Sequence, residues 1–329
     1  MKKTKLLTLL SIVGMMATAC SGNNSGPASS GNASGSGKKT VIGICQIAQF
    51  DALDAATAGF KEAVEQGLGK DNVVFDFQNA SGDTSLCQTI VSSFVSSKVD
   101  MIMANATPCL QAAVQATETI PILGTSVTDY GSALSIKNFN GTVGFNISGT
   151  SDLAPLSDQA DIFSELLPGV KKVGLLYCSS ESNSLFQIET IEPFLKNKGI
   201  TTTRLPFSAT GDLDTVLSGN LADVDALYIP TDNVCANNTS LIDQICRPAK
   251  KPVVCGEEGM CKGCGVATLS IDYNRLGKIT GEMAVSILKD GADISKMAIR
   301  YDNAPEKKFN KEICDELGIT VPSTYVEIK

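Results

Sequence analysis

Polar side chains in this chain gather in short clusters, each placed just after an apolar run. Gln46, Gln49 and Phe50 follow or close TVIGICQI (40–47), and Asn79 and Asp83 follow VVFDFQN (73–79). Thr107 follows MIMANA (101–106), and Ser126, Thr128 and Asp129 stand at the end of IPILGTSV (120–127). In the second half SSESNS (179–184) follows KKVGLLYC (171–178), Thr231-Asp232-Asn233 ends ALYIPTD (226–232), and Glu257 and Glu258 end PVVCGEE (252–258). Hydroxyls and helix N-terminal N–H groups suit a carboxylate. A buried carboxylate such as Asp232 suits an ammonium, and Phe50 offers a wall for an apolar or aromatic group. Together they describe a zwitterion, an amino acid, better than a sugar ring, which would ask for aromatic pairs that are scarce here. Each residue also has a local reading. Asp83, Thr107 and Ser182 fit as helix N-caps, worth about 1 kcal/mol apiece, and Asn79 and Asp129 as turn formers. The recurrence at most strand ends is what points to a ligand.

Other chemistry is harder to build. The chain has no histidine, which removes Ser-His-Asp and Cys-His catalysis, His-ligated metals and the usual general base near neutral pH. An enzyme would have to use pairs such as Glu257/Glu258 or Cys261/Cys264, and adjacent glutamates in a loop more simply mark a solvated surface. We therefore expect a binding protein, not an enzyme, with no cofactor. No glycine-rich dinucleotide fingerprint follows the first apolar run, where ICQIAQFD stands, and no Walker A sequence occurs. A net charge of -8 argues against nucleic acid, which favours basic faces. Among eleven cysteines, Cys261-Lys262-Gly263-Cys264 with Cys255 upstream has the one metal-like spacing. Zinc would lack a fourth ligand there, so no metal site is expected. A local disulfide or free thiols fit that stretch, with an exposed pair open to oxidation in air. Cys45 and Cys178 lie inside apolar runs and read as small hydrophobes.

The elements that must position these groups alternate. Apolar strands at 40–47, 73–79, 101–106 and 120–127 are interleaved with helical patterns at 53–68, 83–98 and 108–117. In the last-but-one helix Leu86, Ile90 and Phe94 recur at i+4 steps. Nearly continuous apolar strands imply a parallel sheet covered on both faces. After a loop-rich stretch at 141–152 the alternation restarts: helix 156–167, strand 171–178, helix 182–199, strand 201–207, helix 212–223, strand 226–232, helix 237–249 and strand 252–258. A long helix at 273–288, a strand at 297–301 and a helix near 310–317 finish the chain. The expected fold class is α/β, with two Rossmann-like lobes of parallel sheet around a ligand cleft at the C-terminal strand ends.

The N-terminus carries an address. Met1-Lys2-Lys3-Thr4-Lys5, the apolar run Leu6–Met16 and Ala17-Thr18-Ala19 before Cys20 form a secretory signal with a lipobox-like cysteine. Residues 1–19 read as signal peptide and Cys20 as the acylated mature N-terminus. The following stretch to 39, SGNNSGPASSGNASGSGKK, cannot bury enough surface to order itself and reads as a tether. The expected address is the outer face of the cytoplasmic membrane.

The body from about Val41 to Pro322 resembles the ABC-transporter substrate-binding proteins of the tryptophan/tyrosine type, of type I periplasmic-binding-protein fold. The phrases are ALDAATAGF (52–60), NASGDTS (79–85), ATPCLQAA (106–113), SVTDYGSA (126–133), NISGTSD (146–152), SSESNS (179–184), YIPTDN (228–233) and IDYNRLGKITGEMA (271–284). The resemblance implies a receptor, a single copy held by its lipid anchor, that closes two lobes on a small ligand such as an aromatic amino acid. It would hand the ligand to an ABC permease and its ATPase. It implies lobe 1 at 40–152 with 273–297 returning, lobe 2 at 153–272 with 300–329 returning, and three hinge crossings. With the residue reading it gives as ligand contacts Gln46, Phe50, Asn79, Ser126, Thr128, Asp129, Asn146, Ser148, Asn183, Ser184, Thr231, Asp232 and Asn233. The family usually has an acidic residue, His and Pro after the first strand, where this chain has Gln49, Phe50 and Asp51, and Tyr130 replaces a proline. Both changes flank the expected pocket. Receptors for a branched-chain amino acid, a nucleoside or a sugar share the architecture and stay open as alternatives.

Overall fold

Strand β1 (Thr40–Gln46) alternates its side chains between two helical layers. The structure, a computed structural model, describes Lys38–Lys329; the signal, Cys20 and the tether up to Gly37 lie outside the described residues. β1 is followed by α1 (Asp51–Leu68), β2 (Val73–Asn79), α2 (Thr84–Ser97), β3 (Met101–Asn105), α3 (Thr107–Ala116), β4 (Ile122–Val127), the short α4 (Tyr130–Ala133) and β5 (Ile147–Ser151). Ile42 and Ile44 pack with Phe60 and Val64 of α1, whereas Cys45 packs with Phe94 of α2 and Leu110 of α3. Burial on both faces is why these strands are apolar throughout.

The second lobe repeats the scheme with α5 (Leu156–Leu166), β6 (Lys172–Cys178), α6 (Ser182–Asn197), β7 (Thr201–Phe207), α7 (Thr210–Asn220), β8 (Ala226–Ile229), α8 (Asn233–Ala236), α9 (Thr239–Cys246), β9 (Val253–Cys255), α10 (Glu258–Cys264) and β10 (Ala267–Ser270). Then come α11 (Tyr273–Leu288), β11 (Arg300–Tyr301), β12 (Glu306–Phe309), α12 (Lys311–Leu317) and β13 (Val326–Glu327). Lobe 1 is a parallel sheet in the order β11-β5-β4-β3-β1-β2, and lobe 2 a sheet in the order β13-β12-β10-β9-β8-β6-β7. In lobe 2 only β12 against β10 is antiparallel. The chain crosses between the lobes three times, after β5, after β10 and after β11.

Helix α11 returns to lobe 1 and lies against α1 backbone to backbone. A Cβ at Gly277 would sit 1.9 Å from the Ala56 carbonyl oxygen, and one at Gly59 would sit 2.0 Å from that of Asn274. Glycine at both positions is a condition of that approach.

Four segments differ from their sequence expectation. The stretch taken for a loop contains β5, because its hydroxyls find partners inside the fold. Thr150 Oγ1 lies 3.2 Å from Thr125 Oγ1 and 2.8 Å from Thr280 Oγ1, and Ser148 Oγ donates to the Met297 carbonyl at 3.0 Å. The strand expected at 297–301 is confined to β11, and the helix expected at 237–249 begins at Thr239, after the separate turn α8. Glu257 ends the strand expected over 252–258 by capping α10, its carboxylate accepting the Gly259 and Met260 N–H groups. The ten cysteines of the described residues are free and buried, which is the free-thiol alternative of the two expected for the 255–264 stretch. Cys261 and Cys264 pack in the lobe 2 core.

Candidate ligand site between the lobes

The C-terminal ends of β4, β6, β8 and β9 face one another across a cleft. Its outer part is a polar space of about 740 Å³ lined by Ser81–Ser85 of lobe 1 and Ser180–Asn183 of lobe 2, among others. Deeper lies an inner pocket of about 20 Å³, lined by Phe50, Leu53, Thr107, Ser126, Thr128 and Asp152 on one side. Asn183, Thr231, Asp232, Asn233, Ala236, Glu257 and Tyr273 complete it. That is room for about one water, so a larger molecule enters only when the lobes part. The lobes touch through side chains: Thr128 Oγ1 is 3.3 Å from Thr231 Oγ1, and Gln111 Nε2 donates to Ser182 Oγ at 3.4 Å.

Three polar atoms on this inner pocket are buried without any partner: Ser126 Oγ, Asp152 Oδ1 and Asn183 Oδ1. Buried polar atoms are normally paired. Ser126 also holds a left-handed backbone with φ 54°, an arrangement that costs about 1–3 kcal/mol and gathers at ligand sites. The other oxygen of Asp152 accepts the Tyr273 hydroxyl at 3.0 Å. Burial raises the Asp152 carboxyl above its ordinary range, and the Thr128 and Tyr273 hydroxyls pull it partly back. Asp152 lies on the first crossing, directly after β5.

Apart from Asn183 Oδ1, the lobe 2 wall is internally paired. Asp232 Oδ2 accepts the Cys178 N–H at 2.7 Å and the Ser184 hydroxyl at 2.8 Å, and Oδ1 accepts the Cys235 N–H at 2.9 Å. Beside it Glu181 Oε2 accepts Asn183 Nδ2 at 3.0 Å, Asn233 Nδ2 at 2.8 Å and the Asn233 N–H at 3.1 Å. Burial, followed by the nearby Asp232 charge, pushes Glu181 up to about 7. Gln187 donates to Thr231 Oγ1 at 2.6 Å.

Of the thirteen residues expected from the sequence, Phe50, Ser126, Thr128, Asn183, Thr231, Asp232 and Asn233 come together on the inner pocket. The other six serve the scaffold. Gln46 donates to the Ala48 carbonyl and to Asp54 and accepts Thr57 Oγ1, tying β1 to α1. Asn79 accepts the Ser81 N–H in a turn, and Asp129 accepts the Ser132 N–H as the cap of α4. Asn146 Nδ2 donates to the Thr117 and Ile120 carbonyls, Ser148 to Met297, and Ser184 to Asp232. Asp232, expected opposite an ammonium, has both oxygens engaged by lobe 2. Asp152 and Tyr273 were not expected, although each stands in a family phrase, NISGTSD and IDYNRLGKITGEMA; both flank crossings.

The family model described as ABC transporter substrate binding protein matches residues 41–327. The chain belongs to that family. This binding protein is 35% identical, over 324 residues and 97% of its length, to a tyrosine-binding protein of Clostridioides difficile (strain R20291), 93% of which is covered. A Streptococcus pneumonia ABC domain in complex with L-Trp is 30% identical, with TM-score 0.83, covering 87% of the binding protein and 97% of that chain. The ligand-free, open structure of a substrate binding protein with adhesive properties from Clostridium difficile is 34% identical, with TM-score 0.68, covering 88% and 99%. The shape is thus nearer the L-Trp complex than the open structure, although the open one is slightly closer in sequence. In the binding protein the two lobes touch one another. Like its family, it binds a small solute outside the cytoplasm and works with an ABC permease. No described helix is long and apolar enough to cross a membrane.

Proposed function

We propose that this binding protein captures an aromatic amino acid for an ABC importer, and that Cys20 anchors it by lipid after signal removal. The carrying observation is the set of unpartnered atoms on the inner pocket. Asp152 Oδ1 and Asn183 Oδ1 are acceptors only, the complement of an ammonium with its three donors. The Ser126 and Thr128 hydroxyls are on hand for the carboxylate, and Phe50, Leu53 and Ala236 wall the side chain. Support for the aromatic class comes from the tyrosine-binding relative and the L-Trp complex. In this proposal Asp152 takes the ammonium and Asp232 shapes the wall. It carries no catalytic step.

A thermal-shift series tests it. L-Tyr, L-Phe or L-Trp at about a hundred times its Kd adds close to 3 kcal/mol of stability, while N-acetyl-L-tyrosine, which has no ammonium, adds none. Shifts from leucine, nucleosides or sugars alone would overturn the aromatic class. An equal shift from the N-acetyl compound would remove Asp152 from its role. For the anchor, Cys20→Ala should release the protein from the membrane fraction; retention there refutes acylation.

A further inference from the structure

Cys45, Cys87 and Cys109 are far apart in sequence, and the fold brings their sulfurs to one point. Cys45 Sγ lies 3.4 Å from Cys109 Sγ, and Cys87 Sγ 3.6 Å from Cys109 Sγ. All three residues are fully buried. Among the described residues this is the one group of Cys, Asp or Glu side chains spaced to hold a metal ion. Each sulfur arrives from a different element: the end of β1 and the first turns of α2 and α3. Here sulfur meets sulfur.

We propose that the three sulfurs form a site for a soft, thiophilic metal ion, with monovalent copper as the fitting occupant. Thiolate sulfur selects Cu(I), zinc or iron–sulfur clusters. Zinc requires a fourth ligand or an open water position, and no carboxylate joins this buried group. Cu(I) is satisfied by sulfur alone. Negative charge on the thiolates is offset in part by the N-terminal ends of α2 and α3, each equivalent to roughly half a positive charge. Residues close in sequence to the three cysteines, Ala48, Ser85, Gln88, Pro108 and Gln111, line the outer cleft, so the buried cluster lies close behind it. The site stands behind the lobe 1 wall, apart from the inner pocket.

The test titrates the purified, reduced chain with Cu(I) under anaerobic conditions against a colorimetric copper chelator. The expected result is one Cu(I) retained per chain with near-ultraviolet thiolate–copper absorption. The Cys87→Ser/Cys109→Ser double variant should lose at least tenfold in affinity while keeping its far-ultraviolet circular dichroism. If that variant does not fold, Cys87→Ala alone is read the same way. Cys246→Ala, in the lobe 2 core, should bind copper like the parent. No copper held against the chelator, or equal retention after loss of Cys87 and Cys109, would overturn the site.

Discussion

On the lobe 2 wall of the inner pocket the carboxylates are held by their neighbours and only Asn183 Oδ1 is left over, whereas on the opposite wall Ser126 Oγ and Asp152 Oδ1 stand unpaired. Asp232 and Glu181 accept six of the hydrogen bonds described above, five of them at 3.0 Å or less. Ser126 Oγ and Asp152 Oδ1 accept or donate none. A paired wall is a fixed surface whose loss is felt in folding. An unpaired wall keeps its hydrogen-bonding capacity for something arriving from outside, and its loss is felt in binding.

Replacing the two aspartates one at a time separates these roles most sharply. Asp152→Asn should cost about 2–5 kcal/mol of affinity for the amino acid, at least about thirtyfold by titration calorimetry, with little change in unfolding free energy. Asp232→Asn should do the reverse. It turns an acceptor of N–H groups partly into a donor, and about 1–3 kcal/mol of stability should be lost in denaturant unfolding. An affinity loss in Asp232→Asn that exceeds that of Asp152→Asn would collapse the comparison.

Ser126→Gly sharpens it from the other side. The substitution relieves a left-handed backbone and removes an unpaired hydroxyl, so stability should rise by about 1 kcal/mol. Affinity should fall severalfold at the same time. A variant that loses stability would mean the strain is not stored there.

The smallest effect is in pH. Burial pushes Glu257 up to about 7 from 4.5, against the Gly259 and Met260 N–H groups that hold it down, and Glu181 is raised to about 7 as well. The folded state therefore holds protons that the unfolded chain has released. Their stabilisation is complete below about 4.5 and is lost as pH rises through about 7. The melting temperature should fall between pH 5 and 7, less so in Glu257→Gln; an unaltered slope in that variant excludes Glu257 as the source.

Much of the fold was legible because strand and helix periods are local properties. Continuous apolar strands could only be buried on both faces, and the restart of the alternation announced a second lobe. β5 was missed because Ser148, Gly149, Thr150 and Ser151 are loop-like in composition. Their partners, Thr125, Thr280 and Met297, are remote in sequence. The site was half legible for the same reason. Strand-end polar residues mark which end of a sheet faces the cleft, but not which of them capping and turns will consume. Asn79 and Asp129 are consumed in that way and Gln46 by tying β1 to α1, whereas Asn183 keeps a free oxygen.

The sequence by itself determined the class of protein. It dictated two α/β lobes, excluded histidine chemistry, and carried the phrases of a substrate-binding family. Only the tertiary structure decided which carboxylate stays unpaired, because pairing depends on groups brought in from other strands and helices. Asp232 is met on both oxygens by Cys178, Ser184 and Cys235, while Asp152, on a crossing, accepts the Tyr273 hydroxyl on one oxygen and keeps the other without a partner. The same logic governs the cysteines. Spacing drew attention to Cys261 and Cys264, yet packing gathered Cys45, Cys87 and Cys109, because adjacency in the folded chain is set by strand order and helix docking.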